Sequence, residues 1–155
     1  LDNRTLQVNF ENKLDQAAWL NNQNLLNGSG VALGDFDRDG HCDIYLCSHE
    51  GNNRLYMNLG DWSFKDVTSS HVACRGVYST GAGFADLNGD GWLDLFVGNE
   101  VGERRTHYAS ELYLNNRDGT FRDAAREAGL TVDANMWGDI RTIEQGALAE
   151  IRRMM

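Results

Sequence analysis

Asp35-Phe36-Asp37-Arg38-Asp39-Gly40-His41-Cys42-Asp43 and, 51 residues on, Asp86-Leu87-Asn88-Gly89-Asp90-Gly91-Trp92-Leu93-Asp94 are near copies of one nine-residue pattern. Oxygen side chains at its first, third and fifth positions can converge on one hard cation only where the backbone curls around it. Gly at the sixth position, Gly40 or Gly91, permits that turn. The seventh residue, His41 or Trp92, would add its carbonyl oxygen, so His41 is expected to act through its backbone and not its imidazole. The ninth, Asp43 or Asp94, would add another carboxylate. Both stretches therefore read as calcium loops, one Ca2+ each. The ligands are Asp35, Asp37, Asp39, His41 and Asp43 in the first, and Asp86, Asn88, Asp90, Trp92 and Asp94 in the second.

An EF-hand loop begins the same way but requires a bidentate Glu at its twelfth position, where this chain has Leu46 and Val97. After the ninth residue the chain runs Ile44-Tyr45-Leu46-Cys47 in one copy and Leu95-Phe96-Val97 in the other, apolar stretches of strand type and not an exiting helix. The loops are thus expected within β-hairpins. Clustered Asp and Gly also make plain solvated turns, but a second copy in matching context favours metal.

The chain of 155 residues is long enough for one domain with a real core. Its net charge of −9 argues against nucleic acid, whose phosphates demand a basic face. Two bound Ca2+ would offset roughly half of that charge. No run of about 20 apolar residues exists, so no membrane-spanning helix is expected. The first residue is Leu1 and not Met, which suggests processing or excision from a longer precursor. Of the three cysteines, Cys42 and Cys47 lie on opposite faces of one strand and should not pair, whereas Cys74 could bridge to either. A zinc site from His41, Cys42, Cys47 and His49 follows no zinc-ligand spacing.

The repeat extends beyond the loops. The first unit runs Gly30-Val31-Ala32-Leu33-Gly34, loop, strand, Asn53-Arg54-Leu55-Tyr56-Met57-Asn58, then Gly60 to Val67. The second runs Gly81-Ala82-Gly83-Phe84-Ala85, loop, strand, Ser110-Glu111-Leu112-Tyr113-Leu114-Asn115, then Asp118 to Ala124. Each offers about four short strands separated by Gly, Asn and Asp turns, the size of a propeller blade. An insertion within 100–110 separates the second strand pair from its partner and is either a binding loop or a surface excursion. The expected organisation is an N-terminal strand and connector over 1–29, a first repeat over 30–80, a second over 81–131 and a helical segment over 132–155.

Leu6-Gln7-Val8-Asn9-Phe10 alternates as a strand would, and 13–20 reads as a short helical turn. Ile140, Ile143, Ala147, Leu148, Ile151 and Met154 recur at helical spacing and predict an amphipathic helix over 139–155. Asn3-Arg4-Thr5 and Asn27-Gly28-Ser29 match the glycosylation triplet.

Taken together, Gly-x-x-x-x-Asp-x-Asp/Asn-x-Asp-Gly-x-x-Asp, Leu-Tyr-x-Asn and Gly-x-x-Phe-x-Asp resemble the FG-GAP and VCBS-type repeats of integrin α-like propellers. They are more closely similar to the cartilage acidic and ASPIC/UnbV-type extracellular family. The resemblance covers about residues 28–131. It implies β-propeller blades with Ca2+ in each hairpin loop and a secreted or cell-surface location. Closed propellers need at least about four blades. Two units therefore imply either the remaining blades of a longer protein or a homo-oligomer or polymer of this chain. No nucleophile with an attendant base is present, so a non-enzymatic, calcium-stabilised structural or adhesive module is expected. The alternative is recognition of a glycan or protein through the 100–110 loop.

Overall fold

The computed structural model describes residues 6–14, 16, 20, 26, 28–49, 51–69, 72–74, 77–100 and 110–130. The expected C-terminal helix, most of the 100–110 loop and the acceptors Asn3 and Asn27 lie outside these described residues.

Among the described residues, eight strands form two antiparallel sheets of four. β1 (Val31–Gly34), β2 (Asp43–Leu46), β3 (Arg54–Asn58) and β4 (Phe64–Asp66) make the first, in the order β1-β2-β3-β4. The second contains β5 (Tyr78–Ala85), β6 (Asp94–Glu100), β7 (Glu111–Asn115) and β8 (Phe121–Asp123), again in sequence order. Each nine-residue pattern bridges the first two strands of its sheet, with Asp43 opposite Gly34 and Asp94 opposite Ala85. Burial alternates along Asp43–Leu46, with Asp43 and Tyr45 inside, and a one-residue slip would turn both toward water.

The sheets pack face to face. Ala32, Tyr45, Cys47 and Leu55 of the first share one core with Leu95, Val97 and Tyr113 of the second, and the rings of Phe36 and Phe121 meet within it, 5.5 Å between centroids. The approach is closest between β1 and β5. A Cβ placed on Gly30 would lie 2.6 Å from the Gly81 Cα and 3.0 Å from the Ala82 nitrogen. Glycine at 30 is thus a packing requirement set by backbone and not by flexible side chains.

The two repeats present unlike faces to each other, so the faces they leave open differ. Val31 and Leu33, equivalent to Ala82 and Phe84 in the second repeat, are 55% and 62% exposed. At the other end Gly81 and Gly83 face open space, and Phe96, the counterpart of fully buried Tyr45, is 38% exposed.

The N-terminal strand expected from the alternation at 6–10 does not form, because residues 6–14 contain no strand. Gln7 adopts a positive φ of 57°, which extended backbone does not permit. The segment is instead held by polar contacts. The Asn9 carbonyl accepts the Tyr56 hydroxyl at 2.8 Å, and Asn12 bonds to Ser29 Oγ and to the His49 N–H. It covers Tyr56 without extending the sheet.

No disulfide joins the cysteines. Cys42 is exposed, while Cys47 and Cys74 are buried and free. Burial pushes the Cys47 thiol up to about 11, and burial together with the neighbouring Glu111 carboxylate raises Cys74 as well. Because the thiolate is the reactive form, alkylation of the native protein is expected to modify Cys42 alone, with Cys47 and Cys74 reacting only after denaturation. Mass spectrometry of the labelled chain checks this, and rapid native labelling of Cys47 would contradict the packing described.

Candidate functional site: the paired acidic loops

Each loop is built by side chains folding back on their own backbone. In the first, Asp39 N donates to Asp35 Oδ1 at 3.1 Å and to Asp37 Oδ1 at 3.2 Å, Gly40 N to Asp35 Oδ2 at 3.0 Å, and His41 N to Asp39 Oδ1 at 2.8 Å. The second repeats this almost bond for bond. Asp90 N donates to Asp86 Oδ1 and Asn88 Oδ1, Gly91 N to Asp86 Oδ2, and Trp92 N to Asp90 Oδ1, all at 2.9–3.0 Å. Such turns let Asp and Asn curl the chain where no regular ladder is available. The fourth and sixth positions of both loops have positive φ: 63° at Arg38 and 91° at Gly40, then 74° at Gly89 and 85° at Gly91.

Asp35, Asp37 and Asp39 are brought together, each offering a carboxylate oxygen within 4.8 Å of the others. Among the described residues no basic side chain is paired with them. The crowding registers at Asp37, whose carboxyl is raised by partial burial and then by the neighbouring Asp39 and Asp35 charges. The His41 imidazole sits beside Gly60, its Nε2 3.1 Å from a Cβ built there.

The ninth residues lie deeper than these clusters. Asp43 and Asp94 are fully buried and tie their loops to the third strand of each sheet. Asp43 Oδ2 accepts Phe36 N at 3.0 Å and its Oδ1 accepts Asn58 N at 2.8 Å. Asp94 accepts Leu87 N and Asn115 N, both at 2.9 Å. Burial lifts the Asp43 carboxyl to about 6, against the pull of those two N–H groups, with Asp37 and Asp39 adding to the rise. Each carboxylate oxygen has a second lone pair, so these bonds leave capacity for a cation.

Loop two carries less unbalanced charge. Asn88 replaces an acid, and Arg117 Nη2 lies 2.9 Å from Asp90 Oδ2. The Trp92 N–H, then Arg117, hold the Asp90 carboxyl below its ordinary value. A cleft of about 360 Å³ is lined by Phe36 and Asp37 of the first loop, by Trp92 of the second and by Met57, Val67 and Arg117.

Sequence reading missed Arg38, Arg117 and the work of the Asn that ends each Leu-Tyr-x-Asn motif. Asn58 Nδ2 donates to the Cys42 carbonyl at 3.0 Å, and Asn115 Nδ2 donates to Leu93 at 3.0 Å and Phe36 at 2.9 Å. The recurring Asn was the available signal. A second polar cluster was also unforeseen: buried Asn53 accepts the Ser48 N–H and donates to Tyr45 and to Ser79, which continues to Asn99. It has a structural role, bridging the two sheets.

Two four-stranded meanders, each with an Asp-rich loop between its first two strands, define the class. The chain carries FG-GAP-like repeat sequence, the family whose model matches residues 35–97. It is homologous to cartilage acidic protein 1: 35% identical over 119 residues to the Xenopus tropicalis protein and 32% over 99 residues to that of Homo sapiens. Those matches cover 75% and 63% of this chain but only 17% and 14% of the relatives, so the chain spans about a sixth of their length.

Proposed function

We propose that the chain is an extracellular, calcium-stabilised structural or adhesive repeat module, with one Ca2+ in each Asp-rich loop. The observation that carries the reading is the convergence of Asp35, Asp37 and Asp39 with no basic side chain paired to them among the described residues. Their donors are hard carboxylate oxygens, the set that Ca2+ prefers and zinc or copper does not. Asp35, Asp37, Asp39, Asp43 and the His41 carbonyl would hold the first ion. Asp86, Asn88, Asp90, Asp94 and the Trp92 carbonyl would hold the second. The ion supplies positive charge that relieves carboxylate repulsion and fixes the hairpin. The relatives' name, taken from cartilage, supports a secreted or cell-surface location.

Calorimetric titration with Ca2+ is the direct test. Two sites are expected, the first loop tighter than the second because it has four carboxylates against three and no Arg117 beside it. Absence of heat and of any calcium retained on dialysis would remove the reading.

The open faces support a second part of the proposal, that this module stacks on further repeats of its own kind. Val31 and Leu33 occupy the positions that Ala82 and Phe84 use against the first sheet, and Gly81 occupies the position that Gly30 uses against the second. Each open face is therefore a copy of one half of the internal interface. The remaining blades of a longer protein are the occupants this fits, and light scattering on the isolated chain would register self-association in their absence.

A further inference from the structure

The two acidic loops touch each other twice, once at the surface and once in the core. At the surface, Arg38, fourth in loop one, donates through Nη2 to the carbonyl of Gly91, sixth in loop two. Its guanidinium carbon also lies 4.8 Å from the centroid of the Trp92 ring, within cation–π range. Gly91 leaves the room this requires, since a Cβ there would sit 2.9 Å from Arg38 Nη2. In the core, a relay joins the two ninth residues. Asp43 Oδ2 accepts Phe36 N at 3.0 Å, the Phe36 carbonyl accepts Asn115 Nδ2 at 2.9 Å, and Asn115 N donates to Asp94 Oδ1 at 2.9 Å. Asp43 and Asp94 are fully buried and Asn115 is 6% exposed, so water does not compete for these bonds.

The backbone at Arg38 adds an independent observation. Its φ of 63° is a conformation that side chains with a Cβ rarely adopt, and the second loop fills the equivalent position with Gly89 at 74°. An arginine kept where the repeat elsewhere uses glycine is explained by what its side chain reaches.

We propose that the two loops are one coupled binding unit. Occupancy of either by a divalent cation raises the affinity of the other, and Arg38 and Asn115 are the positioning residues that carry the effect. This rests on reading the loops as calcium sites. Filling loop one fixes the 35–43 backbone. Arg38 then holds the Gly91–Trp92 segment, which contains the seventh-position carbonyl of loop two, while Asn115 holds Phe36 against Asp94. A loop already held by its neighbour loses less conformational freedom on binding, which is positive coupling, and linkage makes the effect reciprocal.

The test is calcium calorimetry on the wild-type chain, Asp37→Ala, Arg38→Gly and the double variant, with thermal melts confirming that each is folded. Arg38→Gly suits the left-handed backbone, so it removes the guanidinium without adding strain. Disabling loop one with Asp37→Ala is expected to weaken loop two by about tenfold, and in the Arg38→Gly background by about twofold or less. An arginine acting only through its charge would, on removal, tighten both loops alike and leave that ratio unchanged, which would overturn the proposal. Equal loop-two affinity with and without loop one would overturn it as well. Failure of the wild-type chain to bind calcium at all would instead reject the calcium reading on which the coupling stands.

Discussion

Transfer from about 1 mM calcium into excess chelator is expected to lower the stability of this chain by roughly 2.7 kcal/mol per loop, taking a dissociation constant of ~10 μM. Against a net stability of about 5–15 kcal/mol, loss of both ions is a large fraction of the whole. Asp37→Ala should remove the first loop's share, lowering the melting temperature in calcium by on the order of 10 °C. In chelator the sign should weaken or reverse. There the Asp37 carboxyl is crowded by Asp39 and Asp35, and its removal relieves repulsion. Circular dichroism melts of both proteins in both conditions check the prediction. Unchanged melting of the variant in saturating calcium would reject a stabilising role for the first loop.

Replacing Gly30 with Ala is expected to be the most damaging single-methyl change in the fold, by about 1–3 kcal/mol or more. The new Cβ would lie 2.6 Å from the Gly81 Cα and 3.0 Å from the Ala82 nitrogen and Thr80 oxygen, all of them backbone atoms. None can turn aside, so the sheets themselves must separate. Gly81→Ala, the same change at the equivalent position of the next repeat, meets nothing within 4 Å and should be close to neutral in this chain. If Gly81 is covered by a further repeat in a longer protein, that neutrality should disappear there. Urea denaturation of the two variants, in the short chain and in a longer one, reads both effects.

The strands were legible because short apolar and aromatic runs, Ile44-Tyr45-Leu46-Cys47 and Leu95-Phe96-Val97 among them, are bounded by turns that Asp, Asn and Gly mark. The resemblance to FG-GAP repeats was legible for the same reason. The contacts that connect the repeats were not. Arg38 reaches Gly91 across 53 residues and Asn115 reaches Phe36 across 79, and no periodicity records which sheet faces meet. The alternation at 6–10 misled because Leu6, Val8 and Phe10 read as one strand face, whereas the backbone there bonds to Tyr56 and turns at Gln7. An apolar alternation specifies a strand only when a neighbouring edge accepts its backbone.

Strand order in both sheets keeps to sequence order without a crossover, and this bears on how the chain reaches its fold. Every pairing is made by a strand with the next one along, so the closures needed are short and the search is local. Each sheet can zip from a hairpin within its own repeat before it meets the other. Contacts between the sheets span more of the chain, Gly30 against Gly81 and Asn115 to Phe36 across 79 residues, and so carry the larger closure cost.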